Sequence, residues 1–153
     1  MELSTAMLAD GAQSIGGKLY ILGGQWDRLF VASFPATHPA MALVTVIKLE
    51  YTEAPQTYQL SVELTLDGQA LGPKAGGSMM AGHSPGTVHG APQFVPLAIP
   101  FYNLQFAGPG RYEWVIRVNE REMGRVPLEV VQGLALAPQQ QPPRPNAEPP
   151  HQS

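Results

Sequence analysis

The feature that most constrains this chain is a strict alternation of apolar and polar side chains over short stretches. The clearest case runs from Tyr58 to Leu66, where Tyr, Leu and Val occupy one face and Gln, Ser, Glu and Thr occupy the other. A period of two residues is typical of a half-buried antiparallel strand. Residues 111–118 and 126–130 repeat the pattern, which predicts a hairpin with residues 119–122 as its loop. Asp67-Gly68 predicts a turn after the first strand.

Less regular segments extend this pattern. We expect a first strand within Leu3–Asp10, strands over 18–22 and 26–31 on either side of a bulge at Gly23-Gly24, and a central strand over 42–51. Residues 95–101 alternate apolar side chains with Pro96 and Pro100. Proline cannot donate to a strand ladder, so this strand is expected at a sheet edge.

Residues 67–92 predict a long irregular loop. Seven of these 26 residues are glycine, and only Met79-Met80 suggests a short strand inside the segment. Loops of this length are uncommon in compact domains and are often functional.

No segment carries the apolar spacing of an amphipathic helix for three turns without a proline or glycine. About eight short strands separated by turns therefore predict an all-β fold of two packed antiparallel sheets. Tyr112 follows the turn Gly108-Pro109-Gly110, as the tyrosine corner does in immunoglobulin-like sandwiches. We expect an immunoglobulin-like β-sandwich, with a jelly roll as the alternative.

Composition excludes several classes of function. The formal net charge of −3 argues against a strongly basic nucleic-acid binder. The absence of cysteine excludes disulfides, thiolate zinc sites and a cysteine nucleophile. No apolar run approaches the roughly 20 residues that span a bilayer, and the first residues lack a signal-peptide pattern. We predict a cytoplasmic protein that binds neither nucleic acid nor membrane.

The composition changes abruptly near Ala137. Residues 137–153 read APQQQPPRPNAEPPHQS and contain no large apolar side chain. Such a segment cannot bury enough surface to offset its ordering entropy, so we predict a domain over residues 1–136 and a disordered tail over 137–153. The tail contains a minimal PxxP motif at Pro142–Pro145, for which an accidental match is the favoured interpretation.

Several segments together resemble an uncharacterised bacterial family, DUF6941. The resemblance is carried by residues 7–13 (MLADGAQ), 17–28 (GKLYILGGQWDR), 84–86 (SPG), 91–97 (APQFVPL) and 109–114 (PGRYEW). It covers most of residues 3–131, although Gly11 stands where the family usually has a bulky residue. The resemblance implies a single sandwich domain; the family has no established activity, so no functional residue is carried over.

Candidate chemistry is sparse. His83 and His89 lie six residues apart and could bind a metal together with Asp10, but the spacing matches no strong zinc pattern, and solvent-exposed loop histidines are the favoured interpretation. Trp26 is either a core residue, which is favoured, or an exposed stacking platform. Asp27 beside it is a candidate ligand contact, although a turn role is more probable on composition. We predict no catalytic residue, no metal and no cofactor.

The leading hypothesis is therefore a non-enzymatic binding or assembly module that acts through sheet edges and loops. Its partner is an unidentified protein or a second copy of the chain. The alternative is a small-ligand or carbohydrate-binding domain that uses Trp26 or the 67–92 loop. A metal-dependent enzyme using His83, His89 and Asp10 ranks last.

Overall fold

The structure, a computed structural model, describes residues 1–133. They form nine strands and one short 3-10 helix, Tyr51–Glu53. The strands are β1 Glu2–Ile15, β2 Lys18–Trp26, β3 Arg28–Val31, β4 Ala36–Leu49, β5 Gln56–Leu66, β6 Gln69–Ala81, β7 Gln93–Phe106, β8 Gly110–Val118 and β9 Arg121–Gln132. The all-β prediction is confirmed. The predicted domain boundary at residue 136 and the predicted disordered tail over 137–153 lie outside the described residues.

The strands form two packed sheets. The first sheet has the order β2-β1-β4-β7 and the second has the order β3-β9-β8-β5-β6. All neighbours pair antiparallel except β3 and β9, which are parallel. The core between the sheets is built around the fully buried Trp114 of β8, whose ring stacks on Phe101 of β7 with centroids 4.1 Å apart.

The strongly alternating segments fold as predicted. β5 pairs with β8 through Leu60↔Val118 to Leu66↔Tyr112, which brings the apolar faces of both strands into the core. The turn at Asp67-Gly68 is a two-residue hairpin with positive φ at both residues. The loop between β8 and β9 is shorter than predicted, because only Asn119 and Glu120 separate the paired residues Val118 and Arg121.

The prediction of one irregular loop over 67–92 is wrong for its first half. Residues 69–81 form β6, which pairs with β5 from Leu66↔Gln69 to Gln56↔Ala81. Its glycines are tolerated because β6 lies at the edge of its sheet, and Gly76 is even required there: a Cβ at this position would lie 2.9 Å from the carbonyl oxygen of Leu60. Only residues 82–92 remain a loop.

Two further boundaries differ from the prediction. The segment 26–31 is split at Asp27, where the chain leaves the first sheet and enters the second as β3. The first strand runs past Asp10 to Ile15. The expected edge position of the proline-bearing strand is confirmed, because β7 has only β4 as a sheet neighbour.

The far half of the β1–β2 hairpin bends across the outer face of the first sheet. The β1–β4 ladder ends at Ala9↔Ala42, whereas the β1–β2 ladder continues to Ile15↔Lys18. Ser14 Oγ donates a 2.8 Å hydrogen bond to the carbonyl oxygen of Pro96 on β7, the strand beyond β4. The hairpin therefore passes over β4, which explains why Val44 is fully buried although it belongs to neither core cluster.

Candidate functional site

The two loop histidines pack against one tyrosine. In loop 82–92 the His83 ring stacks on Tyr51 with centroids 4.2 Å apart, and the tilted His89 ring lies 4.6 Å from the same tyrosine. Gln93 Nε2 lies 2.6 Å from His83 Nδ1, so that ring nitrogen accepts a hydrogen bond when the Gln93 amide donates. Both histidines stay exposed, but their loop is held against the end of the sandwich.

Asp10 lies at the other end of the first sheet from these histidines. Its neighbour Ala9 pairs with Ala42, whereas Leu49 pairs with Gln93, the residue that contacts His83. Seven residues of strand separate the two positions, about 23 Å at the usual rise per residue. Within residues 1–133 no three His, Cys, Asp or Glu side chains converge as a metal cluster. The structure thus does not bring the three suggested metal ligands together.

Trp26 packs inward. It pairs with Leu8 across the β1–β2 ladder and contacts the main core cluster. Its ring meets His38 edge to face with centroids 6.1 Å apart. Trp26 Nε1 and His38 Nε2 are both buried and have no hydrogen-bond partner among the described residues. This position corresponds to the core interpretation of Trp26 rather than to a stacking platform.

Asp27 occupies the crossing between the two sheets. Its carbonyl oxygen accepts a 2.7 Å hydrogen bond from the backbone N–H of Glu129, which fixes the start of β3. The residue also lines a shallow groove of about 340 Å³ together with Arg111, Glu113 and Glu129. Two of its three carboxylates are paired with arginines from outside the lining, Glu129 with Arg28 and Glu113 with Arg125.

The outer face of the second sheet is covered with ion pairs. Arg117 lies 3.3 Å from Glu63, Arg125 lies 3.4 Å from Glu113, and Arg28 of β3 lies 2.8 Å from Glu129. Arg125 also donates hydrogen bonds of 2.6 and 3.2 Å to Glu122, and these lower the pKa of that carboxyl below its ordinary value. This outer face therefore presents paired charges of both signs.

The outer face of the first sheet is different. A groove of about 400 Å³ lies between the bent β1–β2 hairpin and the outer surface of β4 and β7; we call it the hairpin groove. The residues that define it are Asp10, Gln13, Tyr20, Leu22, Pro100 and Tyr102. Leu22 is 75% exposed and Tyr102 is 69% exposed, values unusual for large apolar side chains.

The sequence contained a partial signal for this groove. Ala42–Val46 carries apolar side chains on both faces, which predicts a central strand, and Tyr20-Ile21-Leu22 is apolar without alternation. Neither pattern states which segment covers β4. The bend of the hairpin depends on Gly23, whose positive φ and close contact with the Asp10 side chain leave no room for a Cβ.

Comparison with models of protein families gives a match over most of the chain. The family model described as "Family of unknown function (DUF6941)" matches residues 4–131, most of the chain. No curated protein and no solved structure matches the chain. Among residues 1–133, no helix has the length and apolarity needed to cross a bilayer.

Proposed function

Because this chain belongs to DUF6941, a family of unknown function, we propose a function on the basis of its surfaces. The protein is a non-enzymatic binding module, and its binding surface is the hairpin groove. The observation that carries the proposal is the contrast between the two outer faces. The second sheet presents paired charges, whereas the first presents tyrosine, leucine and proline around a concave surface.

Exposed apolar patches of this kind mark interaction sites in soluble proteins, because leaving them in water is costly. The volume of about 400 Å³ falls within the range of common ligand sites. Asp10 and Gln13 add polar groups that can orient what binds there. The cytoplasmic location and the absence of catalysis remain predictions.

An immunoglobulin-like arrangement is part of the proposal. Support comes from Tyr112, whose hydroxyl donates a 2.7 Å hydrogen bond to the carbonyl oxygen of Gly108 four residues upstream. This is the contact of a tyrosine corner, and Tyr112 lies near the start of the penultimate strand. Nine strands in sheets of four and five fit the variable type of that fold.

The experiment compares three full-length chains as bait in a lysate of the source cell, with captured proteins quantified by mass spectrometry. They are the wild type, Leu22→Asp in the groove, and Met80→Asp on β6 as the matched control. Met80 is 82% exposed and belongs to the other sheet, so both substitutions place the same charge at an exposed apolar site.

We expect a protein that the wild type and Met80→Asp retain and that Leu22→Asp loses. Sedimentation of the same three chains tests self-association through the groove. If neither capture nor self-association differs between Leu22→Asp and Met80→Asp, the groove is not the binding surface and the proposal fails.

A second candidate function is the binding of a small ligand at the ring cluster of Tyr51, His83 and His89. Of the two positions suggested for such a site, Trp26 and the 67–92 loop, this cluster uses the loop. Both histidine rings lie within 4.6 Å of the Tyr51 ring, and the three rings offer stacking surface and ring nitrogens for a planar ligand. A thermal-shift screen of small molecules on wild type and His89→Ala tests this candidate. A ligand that stabilises only the wild type supports it, and no such ligand counts against it.

A further inference from the structure

We infer that the hairpin groove is the docking site of the chain's own C-terminal segment, with Pro142–Pro145 against the tyrosines and Arg144 paired with Asp10. The inference rests on the proposed function, because it names the occupant of the same groove. It concerns a segment that begins directly after the last described residue, Gly133.

The first argument is the apolar chemistry of the groove. Proline-rich peptides favour the extended polyproline II conformation and dock on surfaces lined by aromatic rings. Tyr20 of the hairpin and Tyr102 of β7 both line the hairpin groove, and Pro100 of β7 lines it as well. The sequence Pro142-Pro143-Arg144-Pro145 supplies a matching ligand.

The second argument is charge complementarity. Asp10 is exposed at the groove and takes part in none of the ion pairs found within residues 1–133. Arg144 is the only Lys or Arg in residues 134–153, and prolines flank it on both sides. An arginine fork on a carboxylate would fix both the register and the direction of the bound segment.

The third argument is reach. The backbone N–H of Gly133 donates a 2.9 Å hydrogen bond to Val31, which leads through four residues into the start of β4. From there the groove lies about 20 Å along β4 and about 10 Å across the sandwich. Arg144 is the eleventh residue after Gly133, and eleven residues span about 34 Å in polyproline II. The segment is therefore long enough for Arg144 to reach the groove.

The absence of cysteine makes a direct test possible. The full-length chain with Asn146→Cys carries one nitroxide label next to the proposed contact, and NMR measures which backbone amide signals it broadens. We expect broadening for residues around Gln13, Leu22 and Tyr102. Amides around Glu63 and Arg125, on the charged face of the other sheet, serve as internal controls and should keep their intensity.

Charge reversal sharpens the test. Arg144→Glu in the labelled chain should lower the ratio of docked to undocked segment about two- to fivefold, the range expected for one exposed ion pair. Adding Asp10→Arg should restore the broadening, because the pair is then reversed. Glu148→Gln is the matched control in the segment and should change nothing.

Three outcomes overturn the inference. Broadening absent from the groove shows that the segment does not dock there. Equal broadening before and after Arg144→Glu shows that Arg144 does not pair with Asp10. Broadening of a ¹⁵N-labelled chain without nitroxide, when it is mixed with an unlabelled chain that carries the nitroxide, shows docking between copies instead of within one. None of these bears on whether Leu22→Asp loses an external partner, so the proposed function is judged separately.

Discussion

Tyr112 Oη donates a 2.7 Å hydrogen bond to the carbonyl oxygen of Gly108, four residues earlier in the chain. The bond closes the turn between β7 and β8, and the tyrosine ring packs edge to face on Phe106 with centroids 5.0 Å apart. Burial raises the pKa of this phenol above its ordinary value, because it disfavours the charged phenolate. The contact thus holds the start of the strand that carries Trp114.

Replacing Tyr112 by Phe should lower the free energy of unfolding by about 1 kcal/mol, since it removes one partly buried hydrogen bond and leaves the ring packing in place. Urea denaturation measures the change. Tyr102→Phe is the control: its hydroxyl is on the surface, and stability should stay the same. Equal stability of Tyr112→Phe and wild type would show that the bond does not hold the turn.

The stacked rings of Phe101 and Trp114 join the two sheets, because one lies on β7 and the other on β8. Phe101→Leu should cost about 1–2 kcal/mol through lost stacking and imperfect filling of the space. Phe94→Leu makes the same change at a position that is 56% exposed and should cost far less. Thermal unfolding followed by tryptophan fluorescence compares the two; similar losses would contradict the packing described here.

Gly23 and Gly11 lie in the same hairpin but should respond differently to alanine. Gly23 has φ +58°, and a Cβ there would collide with the Asp10 carboxylate, so Gly23→Ala should cost at least about 1 kcal/mol. Gly11 has open space around it and should tolerate alanine within about 0.5 kcal/mol. Chemical denaturation of both variants measures this. A neutral Gly23→Ala would mean that the hairpin does not need this bend.

The Glu122 carboxyl should show a pH dependence set by Arg125. Its pKa is lowered chiefly by the hydrogen bonds from the guanidinium. Because the folded pKa lies below the unfolded one, the pair stabilises the fold above the unfolded pKa, and this contribution is lost as the pH falls through the folded pKa. Arg125→Gln should move the pKa of Glu122 back up in a carbon-13 NMR titration of the side chain.

Arg28→Gln is the control for that titration, because Arg28 pairs with Glu129 and not with Glu122. It should leave the pKa of Glu122 where it is in the wild type. An unchanged Glu122 pKa in Arg125→Gln would show that the two side chains do not pair in solution.

Local sequence patterns predicted the strands and turns whose conformation depends on residues adjacent in the chain. The alternation of β5 and β8 and the turn at Asp67-Gly68 follow from side-chain period and backbone preference, and the structure confirms them. β6 escaped prediction because its glycines and Pro73 have low strand propensity. What makes it a strand is the free edge of β5, a partner that no local pattern contains.

For the candidate sites, the sequence indicates which residues are of interest but not where the fold places them. Residue type alone singles out Asp10, Trp26 and Asp27, yet their positions depend on pairing between separate strands. Trp26 faces the core because it lies opposite Leu8, and Asp10 lines a groove because the hairpin bends beside it. The two histidines are exposed, and both rings also contact Tyr51, which precedes His83 by 32 residues. No local pattern links that tyrosine to them.

The passage of the hairpin over β4 has a consequence for dynamics. Leu43, Val44 and Thr45 are fully buried although neighbouring side chains point to opposite faces of the sheet, so water reaches this stretch of backbone from neither side. Exposing its amides requires the hairpin to lift and the two sheets to separate together. Amide protons of this stretch should therefore exchange with solvent only when the whole domain opens, while those of the outer strands exchange through smaller local openings.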